Sequence, residues 1–257
     1  MKFKLIALAA VLAAAGSANA APINTGAAGN GGLFFSIWDS ANSYSRNLGF
    51  TIDSFEAGLA AAGSFNQSFA ADATFTSFLG TADLASLKWN VVATDNSGAR
   101  RVLETFTAPK PLTTKPSDSV RTLAGSTTNF VNSLNKKLAV ADSATYAVGT
   151  DGYAGGLAFA DNGAGGLNFS NAGTFASNSY DNGLSFMRIN APATTIAPST
   201  YTPYLDGTAS VKLYMDGNNA LNIAAVTAVP EPESFDMLLA GLGLMGAIAR
   251  RRNKKSA

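Results

Sequence analysis

Neither a cysteine nor a histidine occurs anywhere in the 257 residues. Without thiols no disulfide can staple the chain, so its fold must be held by side-chain packing and backbone pairing alone. The same two absences remove Ser-His-Asp and Cys-His catalysis, zinc held by imidazole or thiolate, haem attachment and thiol redox chemistry. Carboxylate chemistry and oxygen-ligated cations such as calcium remain. Charged residues make up only 14 % of the chain, against roughly a quarter in an average soluble domain, and Ala, Gly, Ser, Thr and Asn stand in their place. The net charge of +1 rests on cations near the two ends: Lys2 and Lys4, then Arg250, Arg251, Arg252, Lys254 and Lys255. The stretch between them is weakly acidic and has no basic footprint, so nucleic acid is not an expected partner.

Between the ends the pattern is one of strands and turns. Leu33 to Trp38 reads as a strand, Asp39 to Asn42 as a turn, and Ser43 to Ile52 as the returning strand. Lys88 to Thr94 and Ala99 to Thr107 flank Asp95-Asn-Ser-Gly98 as a second hairpin, and Val211 to Met215 with Ala220 to Val226 forms a third around Asp216-Gly-Asn-Asn219. A Pro/Thr-rich connector runs over 109–116. After it, Val120, Leu123, Phe130, Val131, Leu134 and Leu138 recur at helical spacing, which predicts a helix over 117–138 with Ser117 as N-cap. Shorter helical turns are expected over 53–62 and 71–79. Ala-Gly-Gly-Leu-x-Phe-x-x-x-Gly occurs twice, at 154–163 and 164–173; two copies are too few to stack as a solenoid, and a hairpin is the simpler reading. The expected fold is mainly β, with sandwich-like antiparallel sheets and one packed helix near 117–138.

The first residues are a secretory signal by their parts. Lys2 and Lys4 precede the apolar run Leu5–Ala15, and Ala18-Asn19-Ala20 is a small-x-small site with Ala21 after the cut. The signal peptide is therefore residues 1–20, with the Sec translocon and signal peptidase as partners. The last residues have their own order. Val229-Pro230-Glu231-Pro232-Glu233 is forced out of helix by its two prolines; the apolar run Met237–Ala249 follows, then Arg250, Arg251 and Arg252. As a helix, Met237–Ala249 would reach only about 20 Å, short of a hydrocarbon core of about 30 Å, so it is a short membrane helix that needs snorkelling flanks. The arginines are topogenic cations that stay cytoplasmic and leave the body outside.

This order resembles the PEP-CTERM sorting signal of Gram-negative bacteria that make exopolysaccharide. The resemblance covers residues 229–255 and is carried by Pro230, Glu231 and Pro232, by Leu239-Ala-Gly-Leu-Gly-Leu-Met-Gly246 and by Arg250-Arg-Arg252. It implies that a membrane enzyme, exosortase, recognises Pro230-Glu231-Pro232 and supplies the nucleophile for cutting at or near it. It implies also that the protein is held transiently in the inner membrane with its body in the periplasm, then passes to the cell surface or the biofilm matrix. Asp236, at the mouth of the apolar run, departs from a purely apolar helix.

The body, 21–228, carries weaker signals. Its only glutamates are Glu56 and Glu104, so a glycoside hydrolase would have to pair Glu104 with an aspartate across a cleft. Asp151, Asp161, Asp181 and Asp216 sit beside Gly or Asn; they read first as turn residues and second as calcium ligands. Trp38 and Trp89 lie among apolar strand neighbours and read as core. The expectation is a non-enzymatic, structural or adhesive surface protein, with no cofactor unless calcium, and with exopolysaccharide as the ligand to test. The alternative is a carbohydrate-binding module, and a carboxylate-based hydrolase comes third.

Overall fold

Runs of aromatic and β-branched residues become strands where both of their faces find cover. The computed structural model describes residues 21–61, 65–98, 100–107, 115–156, 172–175, 183–192 and 196–225. In chain order the elements are β1 (Gly32–Trp38), β2 (Asn42–Thr51), α1 (Ile52–Ala60), β3 (Asn66–Phe69), α2 (Ala73–Leu79), β4 (Lys88–Thr94) and β5 (Arg101–Phe106). Then follow α3 (Ser117–Leu138), β6 (Ser143–Ala147), β7 (Gly173–Thr174), β8 (Leu184–Asn190), β9 (Thr200–Pro203), β10 (Leu205–Asp206), β11 (Ala209–Met215) and β12 (Leu221–Ala225). All three expected hairpins form, as β1–β2, β4–β5 and β11–β12, and the three expected helices form within a few residues of their predicted bounds.

The two facing sheets of a sandwich do not. The strands make one antiparallel sheet in the order β3-β12-β11-β8-β5-β4-β1-β2-β6, with β7, β9 and β10 attached to β4, β8 and β11. The sheet curls until its β3 end returns to β2. There Phe50 meets Phe69 edge-on at 6.4 Å, and the Arg46 guanidinium lies 5.5 Å over the Phe69 ring while donating to the carbonyl of Ala70 at 2.7 Å. A single curled sheet meets the same demand as a sandwich, because its inner face encloses its own core.

That inner core contains Leu33, Phe35, Ile37, Trp89, Val91, Leu103, Phe186, Leu213 and Ile223. The ends of the curl are closed by helices. Phe55 of α1 packs on Phe65, Phe186 and Tyr204 at 5.2–5.5 Å; at the other end of β2, Phe75 of α2 meets Tyr44 at 4.8 Å. The outer face carries a second core, in which Phe34, Val92, Val102, Met187 and Ile189 meet Val120, Leu123, Phe130, Val131, Leu134 and Leu138 of α3. β1 is therefore buried at all seven positions, since alternate side chains enter alternate cores.

The start of α3 corrects one expectation. Pro116, not Ser117, occupies the N-cap position, and no side chain caps the helix there. Ser117 is the first helical residue and fully buried, with its amide donating to the Ala197 carbonyl at 3.0 Å. A bridge between Pro116 and Pro198 brings that partner in, so a tertiary contact does what a local cap would have done. Among the described residues no helix is long and apolar enough to cross a membrane; the apolar run Met237–Ala249 lies outside them, as does most of the repeat over 154–173.

Candidate functional site

The richest polar constellation lies where α1 meets the sheet. Arg101 points inward from the first position of β5, where a strand neighbour such as Leu103 is core. A guanidinium in that position needs anions, and three converge on it: Asp53 at 2.6 Å, Asp95 at 2.7 Å and Glu56 at 3.0 Å. Burial works against the charged guanidinium, but Asp53, Asp95 and Glu56 outweigh it and hold its pKa above the usual value. The second Glu56 oxygen accepts from Arg188 at 3.1 Å and from the Tyr204 hydroxyl at 2.6 Å. Burial, then the Glu56 charge, push the Tyr204 phenol up, which keeps it a donor. Asp95, 1 % exposed, gives its other oxygen to the Gly31 amide at 3.0 Å.

Every carboxylate oxygen of Glu56 and Asp95 thus already accepts a hydrogen bond from the protein. The arrangement clamps α1 to β5, β8 and the residue that leads into β10. Six residues from four separate parts of the chain make it, which is why no local motif announced it. The one trace in the sequence is an arginine at an inward-facing strand position.

Glu104 does not join this cluster. It is fully buried on the outer face, opposite Val92 and Met187 in the ladder and beneath α3; Glu56 lies on the inner side. The two glutamates are on opposite faces of one sheet. Near Glu104, burial and then its charge push the Tyr201 phenol up. Of the turn aspartates, Asp216 uses one oxygen to accept from the amides of Asn218 and Ala220 at 2.8 and 2.9 Å, and Asp151 faces Lys136 at 3.4 Å on the surface. Asp161 and Asp181 lie outside the described residues. Among the described residues no three acidic side chains group as metal ligands do. Trp38 and Trp89 are core, 5 % and 1 % exposed, and among the described residues every tyrosine is at least half-buried.

At the N-terminal boundary of the body the carbonyl of Ala21 accepts from the Asn47 amide group at 2.9 Å. Two residues on, Ile23 is gripped through both backbone groups by Asn135 of α3, at 2.8 and 2.9 Å. The residues that follow the expected cut are thus tied to β2 and α3. Ala18, Ala20, Pro230, Glu231, Pro232, Arg250, Arg251 and Arg252 lie outside the described residues.

Comparison with known families gives one finding on the tail: residues 228–253 match the model of the PEP-CTERM protein-sorting motif. No curated protein and no solved structure matches the chain.

Proposed function

We propose, on the premise that residues 228–253 carry a PEP-CTERM protein-sorting motif, that this chain is an exported surface protein processed by exosortase. Its body serves as a structural or adhesive part of the cell surface or polysaccharide matrix. The observation that carries the reading is the match itself, which falls on the segment with Pro230-Glu231-Pro232, the apolar run and the Arg250–Arg252 cluster in sorting order. In this reading Sec exports the chain, signal peptidase cuts after Ala20, and Arg250, Arg251 and Arg252 hold the tail in the inner membrane with the body in the periplasm. Exosortase then cuts near Glu231.

The non-enzymatic reading of the body draws support from how its carboxylates are used. Glu56 and Asp95 are spent on arginines, and Glu104 is sealed beneath α3. The carbohydrate-binding alternative would use a tryptophan or tyrosine platform, and both tryptophans here face cores.

The test is intact mass and cell fraction of the wild type and Glu231→Ala in a host carrying exosortase. Wild type should end near residue 230 and appear in the surface or matrix fraction. Glu231→Ala should keep its basic tail and stay in the inner membrane. Tails retained on both proteins would reduce Pro230-Glu231-Pro232 to a linker and overturn the reading.

A further inference from the structure

We infer that α3, β2 and the start of β1 frame a peptide-binding groove, and that residues 21–25 fill it as a strap that docks after the sheet and α3 have formed. The ligand class is an extended main chain with one branched apolar side chain. The groove lies in the body and owes nothing to the sorting tail. Carbonyls of alternate strap residues are taken by side chains. Ala21 accepts from the Asn47 amide group at 2.9 Å, Ile23 from Asn135 at 2.9 Å and Thr25 from the Thr128 hydroxyl at 3.1 Å. The Ile23 amide donates to the other end of the same Asn135 side chain at 2.8 Å. The intervening Asn24 carbonyl accepts from the Gly32 amide at 2.8 Å. This alternation has the two-residue period of an extended strand, although most of the partners are side chains. Asn135 and Thr128 stand about two turns apart on α3, so one face of the helix serves alternate strap residues.

Ile23 alone among residues 21–25 is buried. It is 2 % exposed and belongs to the outer core, whereas Ala21, Pro22 and Asn24 are exposed. Gly32 shapes its seat, since a Cβ there would come within 2.9 Å of Ile23 Cγ2 and 3.0 Å of the Asn24 nitrogen. Main-chain bonds for affinity and one side-chain pocket for selectivity are the means by which a groove takes a peptide from outside. Past the strap the chain is fixed by other contacts: the Gly26 carbonyl accepts from the Asn96 and Gly29 amides at 2.8 and 2.9 Å. Residues 21–25 can therefore lift while β1 stays in the sheet. Their α3 partners lie 112 and 103 residues downstream. Closing so long a loop onto a side chain is unfavourable until α3 is in place, which puts strap docking after the packing of α3 on the sheet.

The experiment uses the protein as purified from cells that export it, and has two arms. In the first, hydrogen exchange of the wild type should show the Ile23 amide exchanging at least about tenfold faster than the β4 amides, once intrinsic rates are allowed for, because the strap opens by itself. An Ile23 amide that exchanges only with β4 would make the strap part of one global unit and overturn the inference. In the second, Ile23→Asp empties the groove. That chain should fold, melt below the wild type, and recover part of its Tm when the free peptide Ala-Pro-Ile-Asn-Thr-Gly is added at about millimolar concentration, the order of effective concentration that a short tether provides. The wild type, with its groove filled, should not respond. Ile23→Asp combined with Asn135→Ala should not respond either. An Ile23→Asp chain that cannot fold, or that folds and ignores the peptide, overturns the inference. So does an equal response from the double variant, since Asn135 would then not be what holds the main chain.

Discussion

Asp39 shows at one residue how this fold substitutes backbone donors for the disulfides it lacks. Its carboxylate is nearly buried, yet it accepts from the amides of Ala41 and Asn42 at 2.8 Å each and of Asp83 at 3.1 Å. Burial alone would raise its pKa; the Asn42, Ala41 and Asp83 amides outweigh that and hold it below the ordinary carboxylate value. Asp72 behaves likewise: burial opposes the charge, while the Tyr44 hydroxyl and the Phe75 amide favour it more. A folded pKa below the unfolded one contributes stability above the unfolded value, lost as pH falls through the folded value. Acid should therefore weaken the body progressively as pH falls below about 5, and Asp39→Asn should flatten that limb. Urea melts across that range check this, and identical slopes for the two proteins would refute it.

At the same scale Arg101 is worth more than a surface ion pair. Asp95, its partner, is 1 % exposed, and removing one member of a buried pair leaves the other charge uncompensated. Arg101→Met should cost about 3–5 kcal/mol in urea denaturation, and adding Asp95→Asn should return part of that loss. A loss below about 1 kcal/mol would place the cluster with ordinary exposed pairs.

Among elements, α3 is the most legible in the sequence. Its apolar residues repeat at helical spacing over about five turns, and all six of those named fall in the outer core. Gly125 sits in this helix with open space where a Cβ would project. Gly125→Ala should therefore raise stability by about 0.5–1 kcal/mol, since it removes unfolded-chain freedom without a clash. Gly31→Ala makes the contrast, because a Cβ there would run into the Thr94 carbonyl oxygen; it should destabilise. Paired thermal melts decide both signs. The hairpins are legible for a related reason, since each is announced by turn residues between two apolar runs. β3 is not. Its sequence, Asn-Gln-Ser-Phe, has almost no apolar alternation, and it is a strand because β12 offers it an edge. The same limit hides the Arg101 cluster and the single sheet: both depend on which strands become neighbours, and that is a property of long-range pairing. The sorting tail is legible because its information is local order along the chain.

At the scale of the molecule, the two cores share their strands. β1, β4, β5 and β8 each send alternate residues to the inside of the curl and to α3, so neither core can lose its strands while the other keeps them. Each core holds one tryptophan: Trp89 belongs to the inner core and Trp38 to the outer. Leu123, fully buried on α3, touches only the outer one. Leu123→Ala should cost about 2–5 kcal/mol through lost transfer energy and the cavity left behind. For a body of this size that lowers Tm by roughly 5–15 °C. The decisive reading is where the loss appears. In backgrounds carrying Trp38→Phe or Trp89→Phe, each remaining indole reports one core. If the shared strands couple the cores, Leu123→Ala lowers both fluorescence midpoints equally, and far-ultraviolet circular dichroism follows them. A Trp38 transition that moves while the Trp89 transition stays would mean that α3 peels from a curled sheet stable by itself. The outer core would then be an addition to the fold rather than half of it.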